Sequence, residues 1–365
     1  MRRFPLLLMT LLLLGGCFWH KSTPPAGSPL ASETAAPAAA VATPAVTSET
    51  VPVPTAPTSQ ISAQPSIAPL TKSVSKPTQS EQSIPVASLP QTAPRPTEKN
   101  NVPPVPDVPV FPDEPAFPLE GRRLGPLAAL TPRPDQEVSS PWQGEQLKYG
   151  LYYSFAKVGT AYIKNRGLVN INGRDAYLIQ TTAFSASIID TVFRVRDINL
   201  SWLDAQHLHS LGYSQSLREG HYRRDEWVMF DYTHNTYQGE VDKKSGLRAL
   251  TGTVTQPVLD MLTSLYFVRG QELAKGKDII FDILNREEQY PLVVKVIKRE
   301  TVKTPAGKFK CIVVEPQFRG EGIFVSKGKS LQVWLTDDER KLPVKMKTEV
   351  FIGSVSAELL EYRPN

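Results

Sequence analysis

Proline is distributed along this chain in a way that forbids one continuous fold. Of 33 prolines only six follow Pro141, and 26 lie between Cys17 and Trp142. Proline fixes φ, lacks a backbone N–H donor and pushes the residue before it toward extended geometry, so neither helix nor sheet ladder survives such a stretch. Aromatic residues fall on the other side of the divide: all twelve tyrosines, ten of fourteen phenylalanines and four of five tryptophans lie from Trp142 onward. The prolines keep no Gly-X-Y period, which excludes a collagen-like chain. The sequence therefore divides into residues 1–17, a proline-rich segment 18–141 and a globular domain 142–365.

The first part has the pattern of an export signal. Arg2 and Arg3 precede the apolar run Phe4 to Leu14, which is shorter than the roughly 20 residues that span a bilayer. The run ends in Leu14-Gly15-Gly16-Cys17, which resembles the lipobox of bacterial lipoproteins. That resemblance implies a diacylglyceryl group on the Cys17 thiol and an acylated amine. Three acyl chains hold essentially irreversibly, each buried methylene contributing about 0.8 kcal/mol. Phe18, where inner-membrane lipoproteins of enteric bacteria carry aspartate, points to the periplasmic face of the outer membrane.

Residues 18–141 are rich in Pro, Ala, Thr, Ser and Val, and cannot bury enough apolar surface to offset chain entropy. They are expected to form a disordered tether, about 380 Å long if fully extended and about 60 Å across as a flexible coil. Its tail differs: Phe111, Phe117, Leu119 and the run Leu124 to Leu130 supply apolar groups suited to packing on the domain or recruiting a partner. The formal charge is +5, and removal of Arg2 and Arg3 leaves +3, which offers no support for a nucleic-acid partner. With Cys17 lipidated, Cys311 has no intrachain partner and reads as a small buried hydrophobe.

From Trp142 onward, β-rich segments alternate with turn signals every 8–12 residues or so, the mark of antiparallel sheet rather than βαβ units. Asn172-Gly173 is the strongest hairpin signal. One helix is predicted from Pro257 to Gly270, where Val258, Met261, Leu262, Leu265, Tyr266 and Phe267 recur at helical spacing. A short second helix is predicted over Ala186 to Val192. The expected fold is mainly β: a large curved antiparallel sheet or half-open barrel with one main helix packed on it.

Several stretches carry a family resemblance: Asp260 to Arg269, Val302 to Phe309, Trp334 to Lys345 and Gly353 to Leu359. They resemble the bacterial family called domain of unknown function 3108, over most of Gly144 to Tyr362. The resemblance implies this fold and an exported location, and no activity. By looser analogy the plan is similar to the curved-sheet carriers of lipoprotein localisation, which hold acyl chains between sheet and helix.

Candidate sites follow from side-chain chemistry. Met261, Leu265, Tyr266 and Phe267 are candidates for the wall of an apolar ligand site, with ordinary core packing as the competing reading. Arg223, Arg224 and Trp227, near Arg194, Arg196, Arg218, His221 and Tyr222, form a basic and aromatic group suited to an anionic glycolipid or peptidoglycan. Asp204, His207, His209, His221 and His234 are the best metal candidates, but the strand between the last two separates them, and the histidines read as surface residues. Ser214 sits in an incomplete nucleophile-elbow pattern, and Asp337-Asp338-Glu339 reads as a solvated turn. The reading that results is a non-enzymatic, lipid-anchored periplasmic module that binds or carries an envelope lipid, glycolipid or glycan, without cofactor or metal. A scaffold in envelope assembly and a hydrolase with an unrecognised site remain as alternatives.

Overall fold

The computed structural model describes residues 111–133, 140–318, 331–349 and 353–364. Cys17, the leader and residues 18–110 lie outside the described residues.

Alternating side chains build the strands β1 (Gln146–Tyr153), β2 (Ala156–Ile171), β3 (Arg174–Ser185), β4 (Arg196–Asp204), β5 (Ser210–Glu219), β6 (Tyr222–Asp231) and β7 (Thr236–Lys243). They continue with β8 (Gly246–Thr253), β9 (Ile279–Asn285), β10 (Glu288–Thr304), β11 (Gly307–Phe318), β12 (Leu331–Thr336), β13 (Pro343–Glu349) and β14 (Ser354–Arg363). All fourteen join one sheet in the order β8-β7-β6-β5-β4-β3-β2-β1-β14-β13-β12-β11-β10-β9. Every strand thus pairs with its sequence neighbour except β8 and β9, which are the two edges, while β1 and β14 pair antiparallel in mid-sheet. The sheet is an up-and-down meander that is left open rather than closed into a barrel.

Local chemistry explains the turns. Asn172 and Gly173 both take positive φ, 51° and 85°, as a two-residue hairpin between β2 and β3 demands. Strand β2 runs on past an internal irregularity, its register shifting between Asn165 and Leu168 where Gly167 takes φ 100°. Strand β8 had no sequence signal because it is an edge with mostly exposed side chains, only Leu250 being buried.

The helices are α1 (Ser187–Asp190), a single turn, and α2 (Met261–Arg269). Helix α2 starts later than Pro257. Leu259 makes a parallel bridge with Ile283 of β9, so the chain is still extended there, and Asp260 is the cap. Asp260 Oδ1 accepts the N–H groups of Leu262 and Thr263 at 2.9 and 3.0 Å, and its N–H is returned to Thr263 Oγ1 at 2.9 Å.

The main core lies on the face of the sheet that carries α2. It joins Leu147, Tyr149 and Ile163 from one half to Ile312, Leu335 and Leu359 from the other, with Leu262, Tyr266 and Val268 of the helix between them. The opposite face of β2 to β5 has its own apolar cluster, and residues 111–133 cover it as a strap. Leu124 and Leu127 pack with Leu178, Leu200 and Trp202. Phe111 is fully buried, its ring 5.4 Å from that of Tyr162. Polar anchors fix the strap: Glu114 pairs with Lys164, and Arg122 Nη1 and Nη2 donate to the carbonyls of Ser216 and Arg196 at 3.1 and 2.9 Å. The packed chain therefore begins well before Trp142, because the apolar residues among the last prolines find an uncovered sheet face. Proline suits most of that strap, which crosses the sheet face through side-chain contacts; its end joins the ladder, where the Arg133 N–H donates to Leu168 O at 2.8 Å.

Candidate functional site

Where α2, β9 and the β4–β5 turn converge, they leave a cleft of about 360 Å3. The apolar part of its wall is Leu208, Pro257, Leu259, Phe267 and Phe281, and His207, His209, Gln256 and Asp282 bring polar groups to it. Each wall has a local cause. Leu259 is held by backbone bonds to β9, its N–H donating to Asp282 O and its carbonyl accepting from Leu284, both at 2.9 Å. Phe267 projects from α2 onto Phe281, ring centroids 5.1 Å apart and edge to face. Asp282 is steadied by Gln289 Nε2 at 2.7 Å.

The helix that supplies Phe267 is locked at both ends by buried charge. At its start Asp260 also accepts hydrogen bonds from Ser201 Oγ at 2.8 Å and Ser210 Oγ at 2.7 Å, tying α2 to β4 and β5. Burial raises the Asp260 carboxyl above its usual range, opposed by these donors. At its end Arg269 forms a two-pronged ion pair with Glu145, Nη1 to Oε1 at 2.7 Å and Nη2 to Oε2 at 2.6 Å, and lies over the rings of Tyr266 and Trp142. Both partners are buried, so the pair positions α2 and adds little net stability of its own. Neither lock was visible in the apolar pattern, which reveals faces but not the partners of a buried charge.

The β4–β5 turn brings polar groups to the cleft. Asp204 closes β4, and its Oδ1 accepts the N–H groups of Gln206 and His207 at 2.9 and 2.7 Å, while Leu208 turns the chain at φ 54°. Asp204, His207 and His209 thereby come together, each offering a ligand atom within 4.8 Å of the other two. His221 and His234 sit at the turns on either end of β6 and are not part of this group. The β4–β5 turn itself brings the carboxylate and the two rings together, with the His207 side chain exposed and that of His209 largely covered. Burial pushes the His209 imidazole below its ordinary pKa, with Arg174 and His207 acting the same way against the pull of Asp204.

The four expected wall residues of α2 divide. Phe267 lines the cleft, Tyr266 is fully buried beneath the helix, and Met261 and Leu265 are partly buried against the main core. The basic group divides as well. Arg223 and Arg224 are successive residues of a strand and point to opposite faces: Arg224 is buried and pairs with Glu226, and Arg223 reaches Asp242 at 3.0 Å. Trp227 lies on the strap face, where a Cβ on Gly125 would come within 2.4 Å of its ring. Arg194, Arg196 and Arg218 pair with Asp190 and Asp225. The sheet thus distributes this group over two faces and gives its arginines carboxylate partners.

Other expected features settle simply. Cys311 is buried, and burial pushes its thiol up to about 11. Ser214 lies inside β5, between strands. Asp338 caps the β12–β13 turn, accepting the N–H groups of Arg340 and Lys341.

A family model described as protein of unknown function (DUF3108) matches residues 148–360. Among solved structures, the chain is similar to a beta-barrel-like protein of domain of unknown function DUF1849 from Brucella abortus, with 10% identity and a TM-score of 0.44, covering 60% of this chain and 97% of that one. It is also similar to a protein with a YmcC-like fold from Bacteroides fragilis, with 10% identity and a TM-score of 0.29, covering 60% of this chain and 96% of the other. No curated protein matches the chain.

Proposed function

The chain belongs to the DUF3108 family, and on that footing we propose that it is a non-enzymatic module that holds the apolar part of a cell-envelope lipid or glycolipid in the cleft between α2 and β9. The observation that carries this reading is the cleft itself, about 360 Å3 with Leu208, Pro257, Leu259, Phe267 and Phe281 as its apolar wall. Small-molecule sites run from about 300 to 1,000 Å3, mostly apolar with a few placed polar groups. A cleft of this size takes a portion of one acyl chain rather than a whole lipid. The export pattern and the lipobox around Cys17 support an envelope location, with the protein anchored to the periplasmic face of the outer membrane and residues 18–110 serving as the tether.

The test is solvent extraction and mass spectrometry of the purified chain carrying Cys17→Ser, which removes the covalent anchor. The expected result is a co-purified acyl lipid whose occupancy falls several-fold in Phe281→Asp. Extracts indistinguishable from those of an unrelated envelope protein, or occupancy unchanged by Phe281→Asp, refute the reading.

The scaffold reading has its own support in β8, an open sheet edge whose exposed Leu247 lies beside unpaired backbone groups. Loss of a cross-linked envelope partner on replacing Leu247 with lysine, with lipid occupancy unaltered, would favour that second reading.

A further inference from the structure

We propose that Asp204, His207 and His209 form a binding site for one divalent transition-metal ion of the zinc class, with an open coordination position toward the cleft. Two imidazoles and one carboxylate are a donor set suited to such ions, and three protein ligands leave a fourth position free.

Distances carry the inference. In a tetrahedral site with metal–ligand bonds of 2.0–2.1 Å, neighbouring donor atoms lie about 3.3 Å apart. Here His207 Nδ1 is 3.2 Å from Asp204 Oδ1, and His209 Nε2 is 4.0 Å from Asp204 Oδ2. All three donors lie within 4.8 Å of one another, so small torsions of the exposed His207 side chain complete the set. The carboxylate is already aimed, because the N–H groups of Gln206 and His207 fix Asp204 Oδ1. Fixing of this kind by surrounding hydrogen bonds is how protein sites orient their ligands.

Arg174 gives a second indication. Its Nη1 lies 3.4 Å from His209 Nε2 and 3.8 Å from Asp204 Oδ2, where the ring nitrogen and the carboxylate converge. A half-exposed guanidinium thus occupies the place of positive charge that these groups prepare, and a metal ion would displace it into solvent. His207 and His209 also line the cleft, so the ion's open position faces the space where a ligand's phosphate or carboxylate headgroup would sit. That last step rests on the binding reading above, whereas the metal site stands on its own geometry.

The experiment is equilibrium dialysis of the full chain, first stripped with chelator, against Zn2+, with bound metal counted by mass spectrometry. The ligand-field spectrum of Co2+ reports the donor set in parallel. The expected result is saturable uptake of one ion per chain, weakened at least tenfold by His207→Gln and by His209→Gln and strengthened by Arg174→Gln. His207 and Arg174 are exposed enough that their substitution leaves the fold intact, which a thermal melt verifies. Absence of saturable uptake overturns the proposal, and so does uptake that neither histidine substitution changes. Lipid occupancy is read separately, so loss of metal binding with lipid retained leaves the carrier reading standing, and the reverse leaves the metal site standing.

Discussion

At the scale of single residues, the most telling feature is a pair of buried carboxyl groups. Asp197 on β4 is fully buried beside Glu219 of β5, and its Oδ1 accepts the Arg218 N–H at 2.7 Å. Burial first, and then the Glu219 carboxylate, raise the Asp197 carboxyl well above its ordinary range. A carboxyl with a raised folded-state pKa favours the fold fully below the unfolded value, near 3.9, and loses that contribution as pH climbs toward the folded value. Asp197→Asn keeps the shape and stays neutral, so it is expected to be more stable than the parent by about 1–3 kcal/mol at pH 8, with little difference at pH 4. Urea denaturation across that range checks this; a stability difference independent of pH would count against a raised Asp197 carboxyl. Sequence offered no warning of this pair, because Asp197 and Glu219 are 22 positions apart and meet only through the β4–β5 register. Residue chemistry alone grouped Arg223 with Arg224, whereas strand β6, in which adjacent residues face opposite ways, parts them.

At the scale of elements, α2 decides whether the cleft exists, and Asp260 decides where α2 begins. Asp260 ends four hydrogen bonds, from two backbone N–H groups of its own helix and from the hydroxyls of Ser201 and Ser210. Asp260→Ala removes the cap and leaves both buried serines without that acceptor, at an expected cost of about 2–4 kcal/mol in urea denaturation. Asp260→Asn is expected to recover about half of the loss, and an alanine variant as stable as the parent would show that the cap is not what holds α2. The helix itself was legible from the spacing of Leu262, Leu265 and Tyr266, but its start was not. Pro257 imitates a first helical position, and the true start depends on serines supplied by two strands distant in sequence.

At the scale of the whole molecule, the strap shows where a composition boundary and a folding boundary part. Residues 111–133 are proline-rich by composition, yet they cover Leu178, Leu200 and Trp202 on the sheet face away from α2. A chain beginning at Ser140 uncovers that patch and forfeits the burial of Phe111, Leu124 and Leu127. At about 1.5–3 kcal/mol per buried side chain, its melting temperature is expected to fall by roughly 10 °C or more, with greater binding of an apolar dye. An unchanged melt would make the strap dispensable. The antiparallel plan was legible because alternation and turn residues are local, and the Asn172-Gly173 hairpin is the plainest instance. The partner of the strap was not, because an apolar residue among prolines says that it will be buried, not against what.

The pairing of β1 with β14 has a further consequence, which concerns time rather than space. Ribosomes make the chain from its first residue, so β1 is complete while its neighbour on one side is still some two hundred residues from being synthesised. Until Ser354–Arg363 is released, β1 and β13 each present a bare edge in what will be the middle of the sheet. A nascent chain of this topology needs shelter for most of its synthesis, and its last ten-residue strand is the one that joins the two halves.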